Sequence, residues 1–365
     1  MAQIPAAEGR IFVGLDAEFF FMKDAAVVSA HTILPNKHNP IIVQEDRTGA
    51  SPGSGGVGVA FHYDGVQAEF NAVESTQHQD VMRRVRRAMQ FAFELTERHS
   101  LALSLRGSVP VDLEALATYP LDAVEFGCDI DFISWLEGMP NPINAVAEDH
   151  AFRYAGTHIH LGVPEDLSFA DELLANQQKR QHVINVMDFL VGNTSVMLDQ
   201  DPASTKRREL YGKAGTYRPT EYGLEYRVLS SFGLRSPHFL PLLWALSRES
   251  VRIVAANGHL KLYEAVSPRN VIRAINSNNS ALALENWKGI RQHVQDFFVE
   301  SELRPAALTA LEFAAQAGIT NIVSENIPEN WQLNSEEVSL PTWSEDYPRL
   351  FDAAGFGDEF AKYQK

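Results

Sequence analysis

Side chains that favour metal ions recur at every second residue in four short segments of this chain: Asp16-Ala17-Glu18, Gln67-Ala68-Glu69-Phe70-Asn71, His158-Ile159-His160 and Glu225-Tyr226-Arg227. Strand side chains alternate between the two faces of a sheet, so this spacing puts Asp16 with Glu18, and His158 with His160, on one face. Four such strands share a polar face and an apolar back. Carboxylates buried on a sheet face without partners lose several kcal/mol of hydration, and a bound divalent cation is the simplest compensation. Oxygen ligands suit magnesium, manganese or calcium and imidazole suits zinc, manganese or iron, so a carboxylate-rich set with one or two histidines leans toward Mg2+, with Mn2+ as the alternative.

Each signal has a plain reading beside it. A His-x-His pair occurs in metal sites of many folds and also in ordinary strands. Any one of Asp16, Glu18, Glu69 and Glu225 could be a surface residue of a half-exposed strand; all four in segments packed with Phe, Val, Leu and Ile fit that reading poorly. Arg227, two residues beyond Glu225, shares its face and is a fixed cation able to neutralise a phosphoryl group or a substrate carboxylate. The preceding segment carries Lys206, Arg207, Arg208, Lys213 and Arg218. As a solvated loop it needs no explanation. Set directly before the Glu225 strand, with Gly212 and Gly215 permitting close approach, it suits an anion such as polyphosphate.

The elements that must position these groups follow from pattern. Ile11 to Met22 reads as a central strand and Phe61 to Val73 as a second. Thr76 and Gln79 form a capping-box signature for a helix reaching about His99, and Arg83, Arg84, Arg86 and Arg87 on it read as a solvated face. Leu101 to Pro110 reads as a strand, a helical region from Phe169 to Leu198 breaks near Gly192, and Tyr222 to Phe232 is the last strand of the set. Leu240 to Ala256 reads as a strong helix stopped by Asn257-Gly258. Residues 49–58, rich in glycine and serine, read as a loop; no helix and no Lys-Ser/Thr follow to make a phosphate loop. Asp129 and Asp131 share the two-residue spacing, but a turn at the edge of a cleft fits them as well. Cys128 reads as a small packed residue. Residues 1–240 would form a catalytic core, with 241–365 a helical part packed on it as the same domain.

Composition sets outer limits. With 45% hydrophobic residues the chain can bury a sizeable core. A formal net charge of -16 argues against broad binding to nucleic acid or anionic membranes. A single cysteine fits a reducing compartment. No segment offers the roughly 20 apolar residues of a membrane helix, and Met1 to Arg10 lacks a charged region followed by an apolar run, so the expected location is the cytoplasm.

Taken in order, Gly14-Leu15-Asp16-Ala17-Glu18-Phe19, Asp64 to Asn71, Glu125 to Asp129, Gly156-Thr157-His158-Ile159-His160-Leu161-Gly162, Arg207-Arg208 with Tyr211 to Gly215, and Tyr222 to Ser230 resemble the carboxylate-amine ligases, or amidoligases, of the glutamine synthetase fold, of the branch often encoded by phages and mobile elements. The resemblance spans about Gly14 to Phe232. It implies an α+β fold: an antiparallel sheet curved around a funnel, helices outside, ATP entering at one end. It implies metal ligands at Asp16, Glu18, Glu69, His158 and Glu225, His160 nearer the nucleotide phosphates, and Arg227 on the transferring phosphoryl group. Arg207, Arg208, Lys213 and Arg218 would contact phosphate or substrate carboxylate. The implied reaction joins a small-molecule or peptide carboxylate to an amine through an acyl phosphate. Glu69, Asp64 or Glu74 could serve as the base, and Glu18, Glu69 and Arg227 form the catalytic set. No N-terminal domain like that of glutamine synthetase precedes the motifs, so a shared-site ring is not implied, although an oligomer is possible. A non-catalytic nucleotide- or metal-binding module and a metal-dependent hydrolase are the competing readings.

Overall fold

The computed structural model describes residues 11–44, 58–126, 131–142, 145–162, 176–297, 301–335 and 340–364. Cys128, Asp129 and most of the glycine-rich 49–58 segment lie outside them, as do residues 169–175 of the expected helical region.

The strands are β1 (Phe12–Lys23), β2 (Ala26–Val28), β3 (Ile41–Val43), β4 (Val59–Asp64), β5 (Gln67–Ser75), β6 (Ala102–Ser104), β7 (Ser108–Pro110), β8 (Phe132–Ile133), β9 (Met139–Pro140), β10 (Phe152–Tyr154), β11 (Thr157–Gly162), β12 (Thr216–Thr220) and β13 (Gly223–Leu229). The main sheet is antiparallel and runs β3-β4-β5-β1-β11-β13-β12-β8-β9, with β2 and β6 on the far half of β1 and a separate β7–β10 pair. It is open, ending at β3 and β9.

The 12-residue β1 lies in the interior of the sheet, between β5 and β11, and is buried on both faces along most of its length. Ala17, Phe19 and Phe21 are fully buried on one face, where helices α1 (His78–His99) and α2 (Phe239–Ala255) pack against the strand. Asp16 and Glu18 point to the other. Register then fixes the neighbours: Asp16 sits opposite His158 on β11 and Asn71 on β5, Glu18 opposite Glu69, and Glu225 opposite both His160 and Arg218.

Several elements depart from the sequence expectation. The second strand is a hairpin, β4 and β5, closed by a turn in which Gly65 takes a φ of +65° at the first central position, a conformation that glycine alone adopts at no cost. The capping box is absent: α1 begins at His78, and Ser75 at the end of β5 accepts from the Gln77 N–H and donates to Asp80. Of the helix arginines, Arg83 and Arg87 pair with Asp80 and Glu94 on the same helix, but the other two are not a solvated face. Arg84 is buried and donates to the carbonyls of Val73 and Glu74, while Arg86 reaches those of Trp331, Gln332 and Ser335. Unpaired carbonyls attract guanidinium forks more strongly than bulk water does where the site is half-dry. The break near Gly192 is a π segment, Asp188–Gly192, between two α-helical stretches. The helix stop at Asn257-Gly258 is present, with Asn257 in the left-handed region and Gly258 N–H bonded to the Ile253 carbonyl.

One hydrophobic cluster runs from Ile11, just before β1, to Phe360 near the C-terminus, so the strands and the C-terminal helices share a core.

Candidate active site

The polar face of the sheet gathers two sets of groups. The first is purely acidic: Glu18 from β1, Asp64 from the end of β4 and Glu69 from β5 each offer a carboxylate oxygen, and these lie within 4.8 Å of one another. Glu18 is 3% exposed and Glu69 9%. Burial, then repulsion from Glu69 and Asp64, pushes the Glu18 carboxyl up to about 8. Burial and Glu69 push Asp64 up to about 7. Three carboxylates so close cannot all ionise cheaply in a dry site. Partial compensation comes from the Gly156 N–H, 2.7 Å from Glu18 Oε2, and from the Asn71 amide, 2.9 Å from Glu69 Oε1. His62 Nε2 stands 3.4 Å from Glu69 Oε2. Burial works against the His62 charge, but the Glu69 hydrogen bond and charge outweigh it and raise its pKa.

The second set is mixed in charge. Asp16 Oδ2 lies 2.8 Å from His160 Nε2, and the other nitrogen of His160 is 2.5 Å from the Tyr222 hydroxyl. Burial alone would raise Asp16, yet the His160 charge and hydrogen bond hold it below the usual carboxylate range; Asp16 in turn raises His160 against the effect of burial. His158 behaves oppositely. Burial and the nearby Arg227 and Arg207 keep it well below the ordinary imidazole value, so it is neutral, with Nδ1 3.2 Å from Glu225 Oε1. Glu225 also bonds Arg227 and lies 3.3 Å from Arg218 Nη1. Arg227 Nε is 2.7 Å from Asp131 Oδ1, and all three of Glu225, Arg227 and Asp131 are buried.

The five metal ligands expected from sequence are thus divided. Glu18 and Glu69 join Asp64, which the alternation does not single out as a ligand, because strand-like composition runs on through the β4–β5 turn. Asp16, His158 and Glu225 belong to the neighbouring set. Asp131 has one signal in the sequence, its two-residue spacing with Asp129, and that spacing fits a turn as well as a site. Of the cationic segment, Arg218 faces Glu225, while Arg207 and Arg208 are buried and directed at the backbone. Arg207 donates to the carbonyls of Val228 and Arg227 at 3.1 and 3.2 Å, and Arg208 to those of Gly212 and Val228. Lys213 is half-buried. Glu74, the third candidate base, lines a cavity instead.

That cavity, of about 410 Å³, opens beside Asp16 and His160 and is bounded by Phe12, Gly14, Asn71, Glu74, Gly162 and Tyr222 among others. Its size suits a drug-sized or nucleotide fragment. The face as a whole combines hard oxygen donors, a neutral imidazole and a fixed guanidinium, the components that manage negative charge in group transfer.

Among the described residues no helix is long and apolar enough to cross a membrane. No curated protein matches the chain. A family model does match: the one described as Phage phiEco32-like COOH.NH2 ligase-type 2 aligns with residues 150–333, a stretch that contains His158, His160, Arg218, Glu225 and Arg227. The chain therefore belongs to this family of carboxylate-amine ligases, in agreement with the resemblance carried by its motifs.

Proposed function

We propose that the protein is an ATP- and Mg2+-dependent ligase that joins a small-molecule or peptide carboxylate to an amine, on a sheet that forms one wall of a glutamine synthetase-like funnel. The observation that carries this reading is the acidic triad Glu18, Asp64 and Glu69 set beside a buried, fixed Arg227 on one sheet face.

The residues fit divalent ions. Glu18, Asp64 and Glu69 offer hard oxygen donors whose shared protons at neutral pH mark a site short of positive charge. Asp16, His158 and Glu225 are engaged instead by His160, Arg227 and Arg218, with a neutral His158 bonded through Nδ1 to Glu225 and left with a lone pair on Nε2. Bound magnesium would supply screening between a substrate carboxylate and the phosphates.

Arg227, oriented by Glu225 and Asp131, neutralises charge on the phosphoryl group as it moves. The Asp16–His160–Tyr222 end holds the nucleotide, with the adjoining cavity taking its base. In this reading Arg207 and Arg208 brace the β13 backbone under Arg227 rather than touching phosphate. The carboxylate attacks the γ-phosphorus of ATP and expels ADP. An amine then attacks the acyl carbon of the acyl phosphate, phosphate leaves, and the ammonium proton passes to a base of the triad. Asp64, the half-buried member of the triad between two buried ones, is the one most open to accept it.

Incubating the protein with ATP, Mg2+ and panels of carboxylates and amines should release ADP and phosphate only when both substrates are present. Glu18→Gln and Arg227→Ala should each cost about 10³-fold or more. ATP binding without turnover across a broad panel would favour a non-catalytic nucleotide-binding module, and bond hydrolysis without ATP would favour a metal-dependent hydrolase.

A further inference from the structure

Behind the sheet, on the face away from the acidic groups, one carboxylate is fully enclosed. Asp188 opens the π segment Asp188–Gly192 and is 0% exposed. Its two oxygens have different donors. The Tyr226 hydroxyl gives a hydrogen bond of 2.7 Å to Oδ1, and the Trp135 indole N–H one of 2.6 Å to Oδ2.

These two donors belong to the two segments that hold Arg227. Tyr226 lies between Glu225 and Arg227 on β13, so alternation sends it through to the back of the sheet while they face the front. Trp135 lies four residues beyond Asp131, in the 3-10 turn that follows β8. Glu225 and Asp131 are the carboxylates that grip Arg227, one at Nη1 and the other at Nε. A second tie reinforces the first: Ser134 Oγ donates to Asn185 Oδ1 at 2.6 Å, one helical turn before Asp188. The helix backbone is shaped for the contact, since a Cβ on Gly192 would stand 2.5 Å from the Tyr226 hydroxyl. π segments disturb helix hydrogen bonding and collect where a side chain must be re-aimed.

We propose that Asp188 is a positioning residue for Arg227: from behind the sheet its single carboxylate locks the β13 and Asp131–Trp135 segments together, and so fixes the guanidinium between Glu225 and Asp131. The geometry of the clamp is independent of any reaction; only its kinetic consequence rests on the ligase reading above.

The test follows the Nε–H resonance of Arg227 in the full-length protein labelled with 15N-arginine, the signal being assigned by its loss in Arg227→Lys. Asp188→Asn keeps the side-chain size but removes one acceptor, and Tyr226→Phe and Trp135→Phe each release one arm. Each folded variant should shift this resonance and speed its exchange with solvent by about tenfold, the response to a buried Arg227–Asp131 ion pair loosened by about 1.4 kcal/mol. A purely structural role would lower the melting temperature and leave the signal in place, and an unmoved signal in the folded variants overturns the proposal. If Asp188→Asn does not fold, the two single-arm variants decide. In the ligase assay kcat should fall about 10²-fold, as for a misplacement of the order of 1 Å, with nucleotide KM within about twofold. Absence of amide product from the unmutated protein would refute the ligase reading while the resonance test still decides the clamp.

Discussion

Glu18, Asp64 and Glu69 hold one another in a state that costs the empty protein stability. With Glu18 raised to about 8 and Asp64 to about 7, the folded chain binds more protons than the unfolded chain from roughly pH 4, where free carboxyls titrate, up to about pH 8. Stability falls with rising pH wherever the folded state holds the extra protons, so the metal-free protein should lose melting temperature progressively across this window. Magnesium requires the ionised forms, so the stabilisation it gives should grow over the same range. Asp64→Asn separates the two effects: removing one of three like charges should raise the metal-free melting temperature near pH 8 and shrink the magnesium-induced rise. Thermal scans at pH 5, 6.5 and 8 with and without magnesium check both signs, and a metal-induced rise that is the same at all three would reject the triad as the binding site.

Each of these side chains depends on an element that delivers it, and the elements differ in how visible they are in sequence. The alternation of β1, β11 and β13 is strong enough to read directly, because an apolar back and a polar front leave only one way to orient each strand. The β4–β5 hairpin was hidden: His62, Tyr63, Asp64, Gly65 and Val66 continue the strand composition on both sides, and only Gly65 marks the turn that brings Asp64 back beside Glu69. Asp188 and Asp131 are acids whose partners are far away in sequence, and no local pattern announces such pairing. Arg207 and Arg208 looked like phosphate contacts because a cationic run beside glycines has that meaning on a surface; burial gives them the other use of a guanidinium, satisfying carbonyls. Gly212 serves that brace. It has a φ of +65°, and a Cβ there would stand 1.7 Å from Arg207 Nη1. Gly212→Ala should therefore destabilise by about 2–4 kcal/mol, the sum of a left-handed backbone penalty and a displaced buried guanidinium. Urea unfolding measures it, and a change below about 0.5 kcal/mol, the size of an ordinary surface substitution, would show that Arg207 does not hold this turn.

At the scale of the molecule, the recognisable motifs end near Phe232 and the family match ends at residue 333, yet the chain beyond residue 240 is tied to the site-bearing half at many points. Helix α2 packs on β1, and its Trp244 meets His78 at the start of α1 edge to face, with ring centroids 5.6 Å apart. Trp331, fully buried, donates its indole N–H to the Leu234 carbonyl at 2.6 Å, and Arg86 on α1 binds the carbonyls of residues 331, 332 and 335. Cutting at residue 240 would expose the apolar side of β1 and α1 and take from Arg86 the carbonyls of Trp331, Gln332 and Ser335. At roughly 25 cal/mol per Å² of apolar surface returned to water, loss of even a few hundred Å² would remove a stability margin of 5–15 kcal/mol, the common range for a domain. A chain ending at residue 240 should therefore show no cooperative melting and should bind 8-anilinonaphthalenesulfonate as a loose globule does, although it keeps every side chain of the candidate site. If instead residues 1–240 melt cooperatively and still take up magnesium at Glu18, Asp64 and Glu69, the C-terminal third is a separate domain whose contribution must be sought in substrate choice rather than in the folding of the site.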